Sequence, residues 1–238
     1  LKLLLLIGFF DSFLFPKSIL HENHFNPAYL HEKRFEVALA SEMLFELAEL
    51  RTFDLHAQVD RYGLKVTSFG CQSYRENLLA FGFGFPVGRN FALGISVAGM
   101  NVWIEGISNE FTYGLKMGGQ FENETFLISS WVDNVNVPRL SAVDYVPLSY
   151  SVSFLYKVSP NLDFRLAMRG VTKELPFYNF GLAFSPHEIL LFSVSVNSKP
   201  ILLEYGLQLC LGRMFLRYAG NRHQQLGLTH NIGMGFVQ

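Results

Sequence analysis

The chain has 238 residues, half of them hydrophobic, 15% aromatic and only 16% charged, with a net charge of −1. Average soluble domains carry roughly 25% charge, so there is too little charge here to coat so apolar a protein. The near-neutral balance also excludes the basic footprint that a nucleic-acid partner requires.

The N-terminal run Leu1-Lys2-Leu3-Leu4-Leu5-Leu6-Ile7-Gly8-Phe9-Phe10 places one cation before a short apolar stretch. That order resembles a signal peptide and predicts a leader over 1–18, cut near Ser18; a buried N-terminal helix or strand is the alternative. The run is shorter than the roughly 20 residues a spanning helix needs, and after residue 20 no apolar run is long enough for one either. A chain of this kind enters a membrane only as a closed barrel, since open strand edges are not tolerated in lipid.

Residues 19–34 are expected to form a polar segment inside such a barrel. They hold His21, His24 and His31, with Glu22 and Glu32 as the nearby carboxylates. A metal site needs convergent ligands and a supporting shell, so a polar plug is expected here and no metal. Residues 38–50 (Ala38, Leu39, Met43, Leu44, Leu47) fit a helix or a first strand equally well.

From about residue 35 to the C-terminus the dominant signal is alternation with period two. In Leu148–Phe154 one face is Leu148, Tyr150, Val152 and Phe154, and the other is serine throughout. Phe81, Phe83 and Phe85 alternate with glycine, and Phe91, Leu93, Ile95 and Val97 with Ala92, Gly94 and Ser96. Leu162–Arg169, Tyr178–Phe184, Phe192–Asn197 and Tyr205–Leu211 repeat the pattern, divided by turn compositions such as Pro86–Asn90 and Ser159–Asn161. About 14 strands are expected, with 12 as the lower count. At roughly ten residues each they leave only short connections.

The second face decides between a soluble sheet and a membrane. It carries mostly Gly, Ser, Ala and Asn rather than Lys and Glu, which suits the crowded interior of a narrow barrel. The expected fold is therefore all-β: a transmembrane antiparallel up-and-down β-barrel over 35–238, with the short N-terminal segment in its lumen. Tyr113, Trp131, Tyr145, Tyr150, Tyr156 and Tyr218 are candidates for its aromatic girdles. Outer-membrane lipids are then its first partners. A soluble secreted barrel or sandwich that binds a ligand is the rival architecture.

By parity the lumen receives Lys116, Asp163, Arg165, Arg169, Glu204 and Arg217. Buried charges must be paired or wet, so these either form a salt-bridged plug or line a polar passage. None of the hydrolase, phosphate-binding or dinucleotide motifs occurs; no enzyme activity and no cofactor are expected. Cys71 and Cys210 match no metal spacing and are two unpaired thiols or a single disulfide.

Three stretches carry a family resemblance. Phe25-Asn26-Pro27-Ala28-Tyr29-Leu30 resembles the Asn-Pro-Ala segment of the FadL-like barrels, including the PorV/PorQ group. Tyr74–Gly82 followed by Phe91–Val97 is similar to a hairpin of those proteins, and Leu226–Gly233 to their closing strand. The resemblance implies an outer-membrane barrel of about 14 strands with the N-terminal segment tucked inside. It further implies passage of small hydrophobic compounds, with Asn26 and Pro27 meeting the ligand and a gap in the wall as the exit. Gly99, Gly118 and Gly119 are candidates for the kink such a gap requires. The alternative is an inert scaffold for an envelope or secretion complex, binding an envelope-complex protein through a rim loop such as 134–147.

Overall fold

The computed structural model describes residues 26–140, 145–199, 201–223 and 225–238. The predicted leader, His21 and His24 lie outside the described residues. Fourteen strands follow one another along the chain. The first seven are β1 (Arg34–Met43), β2 (Arg51–Asp60), β3 (Tyr62–Gly70), β4 (Tyr74–Pro86), β5 (Phe91–Ile104), β6 (Ser108–Glu122) and β7 (Phe126–Asp133). The second seven are β8 (Ser149–Ser159), β9 (Leu162–Val171), β10 (Phe177–His187), β11 (Leu190–Ser198), β12 (Ile201–Leu211), β13 (Met214–His223) and β14 (Gly227–Val237).

Each strand pairs antiparallel with the next, and β14 returns to β1 in register from Glu36 opposite Val237 to Met43 opposite His230. The strand order thus closes into an up-and-down barrel in which no strand is left as an edge strand. Residues 38–50 resolve as strand: β1 runs through Met43, and only two short 3-10 turns, Leu44–Glu46 and Ala48–Leu50, follow.

Alternation sets the two faces. Leu79, Phe81, Ile95, Val97, Met117, Phe180, Leu182 and Phe192 are exposed on the outside. Glu36, Gln58, Arg169, Asn179, Glu204 and Arg217 are buried on the inside. This inverts the usual placement of polar and apolar side chains. Phe83 stacks beside Phe85 and Phe154 beside Tyr156, so the outer surface is a continuous aromatic and aliphatic coat. Trp131 departs from the expected girdle: odd parity in β7 turns it inward, where it is 6% exposed.

We call the end where β1 starts and β14 stops the proximal end. Connections there have one to four residues, such as Arg61 between β2 and β3. At the distal end the longest connection, 134–148, follows β7. Its described ends turn in toward the barrel. Leu140 and Val146 bury themselves against Met100 and Val102 of β5, and Asn134 Nδ2 donates to the Pro147 carbonyl at 3.1 Å.

Candidate functional site

The first described residues turn into the lumen and rest on the inner wall of β4, β5 and β6. Pro27–His31 form a single 3-10 turn. Asn26 caps it: its Oδ1 accepts from the Ala28 amide at 2.9 Å, a local bond that Asn offers readily. The other end of the same carboxamide fixes the turn to the wall. Asn26 Nδ2 lies 2.9 Å from the Gly119 carbonyl, 2.9 Å from Ser129 Oγ and 3.1 Å from the Ser130 carbonyl. Asn26 and Ala28 are almost wholly buried.

The wall beneath this turn has been cleared of side chains. A Cβ on Gly84 would sit 2.5 Å from the His31 nitrogen, and Cβ atoms on Gly63 and Gly82 would sit 2.7 and 2.8 Å from Leu30 methyls. On Gly94 a Cβ would fall on the Pro27 carbonyl carbon, and on Gly118 it would fall on Asn26 Oδ1. Glycine lets a backbone approach this closely. The row of glycines in β3–β6 is therefore the seat of the N-terminal turn. A small cavity of about 40 Å³ remains between Leu30, His56, Lys65, Gly82, Ser96 and Lys116.

Polar bonds then lead the chain out of the seat into β1. Gln58 Nε2 donates to the Glu32 carbonyl at 2.7 Å. Arg34 bonds Gln58 Oε1 at 3.1 Å and Glu36 at 3.1 Å, and His56 lies 3.4 Å from Glu36.

All six charges assigned to the lumen by parity point inward, and five of them fall into two groups. Lys116 and Arg169 gather around Trp131. Lys116 Nζ is 2.8 Å from Asp133 and 4.9 Å from the Trp131 ring centre; the Arg169 guanidinium is 5.2 Å from the same ring. Cross-strand register explains the meeting. Gly118, Trp131, Ser151 and Arg169 form one row across β6, β7, β8 and β9. The small Ser151 lets Arg169 lean to Trp131, and Trp131 adjoins the Gly118 that carries Asn26.

The second group lies further round. Arg165, Gly181, Ser195, Glu204 and Asn221 form a row from β9 to β13. Gly181 leaves space above Arg165, and Glu204 accepts from Ser195 Oγ at 3.0 Å and Asn197 Nδ2 at 2.9 Å. Arg165 and Arg217 both act on Glu204 electrostatically. Asp163 is buried opposite Lys157 and Ala183 in register. The candidate residues therefore divide. Asn26, Pro27, Lys116 and Arg169 surround the seat, and Arg165, Glu204 and Arg217 form a separate cluster, with Asp163 one inward position before Arg165 on β9.

Sequence parity also missed contributors. Glu36, His56 and Gln58 hold the base of the segment, and Asp54 and Lys65 pair at 3.6 Å beside it. Their alternation in β1–β3 was the available signal. Gly99, Gly118 and Gly119 do not kink the wall. The β5–β6 ladder is continuous from Phe91 opposite Phe121 to Ile104 opposite Ser108, through all three positions. Register shifts occur only at Lys157/Ser159 and Phe184/His187 among the described strand pairs. The irregular place in the wall is elsewhere: β7 pairs β6 only up to Lys116, so Ser108–Leu115 have no β7 partner. Asn136 substitutes there with two side-chain bonds, to the Leu115 amide at 3.0 Å and the Tyr113 carbonyl at 2.8 Å. Among the described residues no three His, Cys, Asp or Glu side chains converge as a metal site would require.

No protein-family model matches the chain, and no curated protein matches it in sequence. Solved structures do match in shape. TodX, a monoaromatic hydrocarbon channel solved as a deltaS2S3 mutant, gives a TM-score of 0.62 at 10% identity, over 90% of this chain and 92% of that one. The toluene transporter TbuX of Ralstonia pickettii gives 0.57 at 11% identity, over 90% and 92%. The outer membrane protein Omp33 of Acinetobacter baumannii gives 0.55 at 12% identity, over 87% and 98%. The fold is that of outer-membrane β-barrels, hydrocarbon channels among them.

Proposed function

We propose that this protein is a bacterial outer-membrane barrel of the FadL-like type that passes small hydrophobic compounds. The supporting observation is the arrangement on one wall of the lumen. At the distal end Met100 and Val102 face inward with Leu140 and Val146 against them, flanked by Tyr74, Leu78 and Ile104. Further along β5 lies Gly94, under the N-terminal turn. An apolar inner surface thus leads to a peptide that is held by hydrogen bonds rather than by the ladder, and such a peptide is able to shift. The exposed apolar coat matches what lipid solvates, and the closed ladder matches what lipid demands. In this reading the compound meets Asn26 and Pro27 and leaves where β7 falls short of β6.

The test is toluene uptake by cells expressing the chain in an outer membrane otherwise slow to toluene. Faster uptake than in cells with an empty vector is expected. Equal rates would overturn the reading. The network of buried charge on β9–β13 favours a second reading, an inert barrel that scaffolds an envelope complex of the PorV type. That reading predicts no acceleration and a partner protein recovered by cross-linking. The inward packing of Leu140 and Val146 weighs against the 134–147 loop as its docking surface.

A further inference from the structure

The seated turn occupies only the β3–β6 side. On the opposite side the described residues enclose a hollow at the proximal mouth. A cavity of about 550 Å³ lies among the turns that join β8–β9, β10–β11 and β12–β13, within the size range of small-molecule sites. Leu191 and Phe215, both buried, form its apolar wall; His187 and Arg213 stand at its rim; Gln208 and Cys210 point into it from β12. Gly235 makes the Phe215 position available, since its missing Cβ is where the Phe215 ring lies.

Gln208 is the informative residue. It is 7% exposed. Its Nε2 has a weak bond to Cys210 Sγ at 3.4 Å, and its Oε1 has no hydrogen-bond partner among the described residues. A buried carbonyl oxygen left without a donor is unfavourable. Glu188 also stands in the lining, where its carboxylate disfavours a second anion; an apolar wall with one buried acceptor lacking a donor selects a neutral molecule with an apolar body and one donor.

We propose that this cavity is a binding site for small neutral compounds with an apolar ring or chain and a single hydroxyl, the hydroxyl donating to Gln208 Oε1. Neither a bare hydrocarbon nor a carboxylate satisfies that oxygen, because neither has a proton to give. The site goes beyond the passage reading, since a molecule is able to sit here whether or not any compound crosses the barrel.

Cys210 serves as its reporter. In a Cys71→Ser background, reconstituted in lipid vesicles, the rate of Cys210 alkylation by iodoacetamide is measured against increasing phenol, toluene or benzoate. Phenol is expected to protect at about fivefold lower concentration than toluene, the effect of one net hydrogen bond, and benzoate least of all. Gln208→Leu should bring phenol and toluene together. Leu191→Trp should fill the cavity and remove protection by either, while the barrel still migrates as a folded band on an unboiled gel. Protection by none of the three compounds would overturn the site. Equal protection by phenol and toluene, or strongest protection by benzoate, would overturn the hydroxyl assignment. Toluene uptake is scored separately, so loss of passage with intact phenol protection condemns the passage reading alone.

Discussion

Two halves of one lumen are filled in opposite ways. On β3–β6 the strands give up their side chains, and a peptide turn fills the space: Gly63, Gly82, Gly84, Gly94 and Gly118 lie under residues 26–31. On β9–β13 the described lumen holds long charged side chains instead: Arg165, opposite Gly181, and Arg217, opposite Gln208, both act on Glu204, opposite Ser195. Glycine serves both halves, but differently. In the first it admits a backbone; in the second it admits a neighbour's side chain, as Gly235 admits Phe215. A barrel interior has to be filled or wet. The lesson is that filling by peptide leaves a removable part, whereas filling by charge makes the wall itself the plug.

The sharpest way to break this contrast is to deny the peptide its seat. Gly94→Val puts a branched Cβ on the Pro27 carbonyl carbon, and no rotamer moves a Cβ away from the backbone. Residues 26–31 should leave the wall, with conductance in planar bilayers rising several-fold and trypsin cutting at Lys33 or Arg34. Gly88→Val is the control, because nothing lies within 4 Å of its Cβ. Unchanged conductance and an unchanged digest for Gly94→Val would mean that the turn is not a removable filling.

The charged half should respond globally instead. Glu204→Leu removes the carboxylate on which Arg165 and Arg217 both act and leaves Arg217 with Glu42, and breaking a buried charge cluster in this way costs about 3–5 kcal/mol. The folded gel band should disappear at a clearly lower temperature. Glu204→Gln, which keeps partners for Ser195 and Asn197, should lose less. If Glu204→Leu melts like the parent, the charges are solvated and this half is an open passage.

Asn26→Ala tests the first half more gently. It removes three donated bonds and the cap on Ala28. At about 1 kcal/mol per net bond, the turn should spend far more time off the wall while the barrel's unfolding temperature holds. A fall in that temperature would instead make the turn part of the cooperative core.

Much of this was legible because a barrel obeys one rule. Strand number and the inward parity of Lys116, Arg165, Arg169, Glu204 and Arg217 follow from period-two alternation alone. Pairing was not legible, because side chains in one cross-strand row are far apart in sequence. Nothing local places Arg169 beside Trp131, or shows that Ser151 is the gap between them. Trp131 was misjudged for the same reason: an aromatic at a strand end suits the interface in general, and only its parity with Leu127 and Ser129 turns it inward. The glycines of β5 and β6 were read as kinks, yet a glycine in a strand equally marks close backbone approach. Choosing between the two needs the partner, and the partner of Gly94 and Gly118 is a turn some seventy to ninety residues earlier in the chain.

The smallest expected effect decides whether the two halves are separate at all. Trp131 links them: it pairs in register with Gly118, which lies under Asn26, and it carries at 5.2 Å Arg169 of β9, the strand that also holds Arg165. A cation over an indole contributes on the order of 1 kcal/mol. A double-mutant cycle of Trp131→Leu and Arg169→Met, read as urea unfolding of the refolded barrel, should therefore return a coupling of about 1 kcal/mol. Trp131→Leu should also loosen the turn, seen as partial trypsin cutting at Lys33 or Arg34, whereas Arg169→Met alone should not. If the coupling is zero and neither variant affects the digest, Trp131 is a spacer and the halves are independent. If Arg169→Met releases the turn as readily as Trp131→Leu does, the charged wall holds the peptide in place, and the contrast between the halves gives way to a single network.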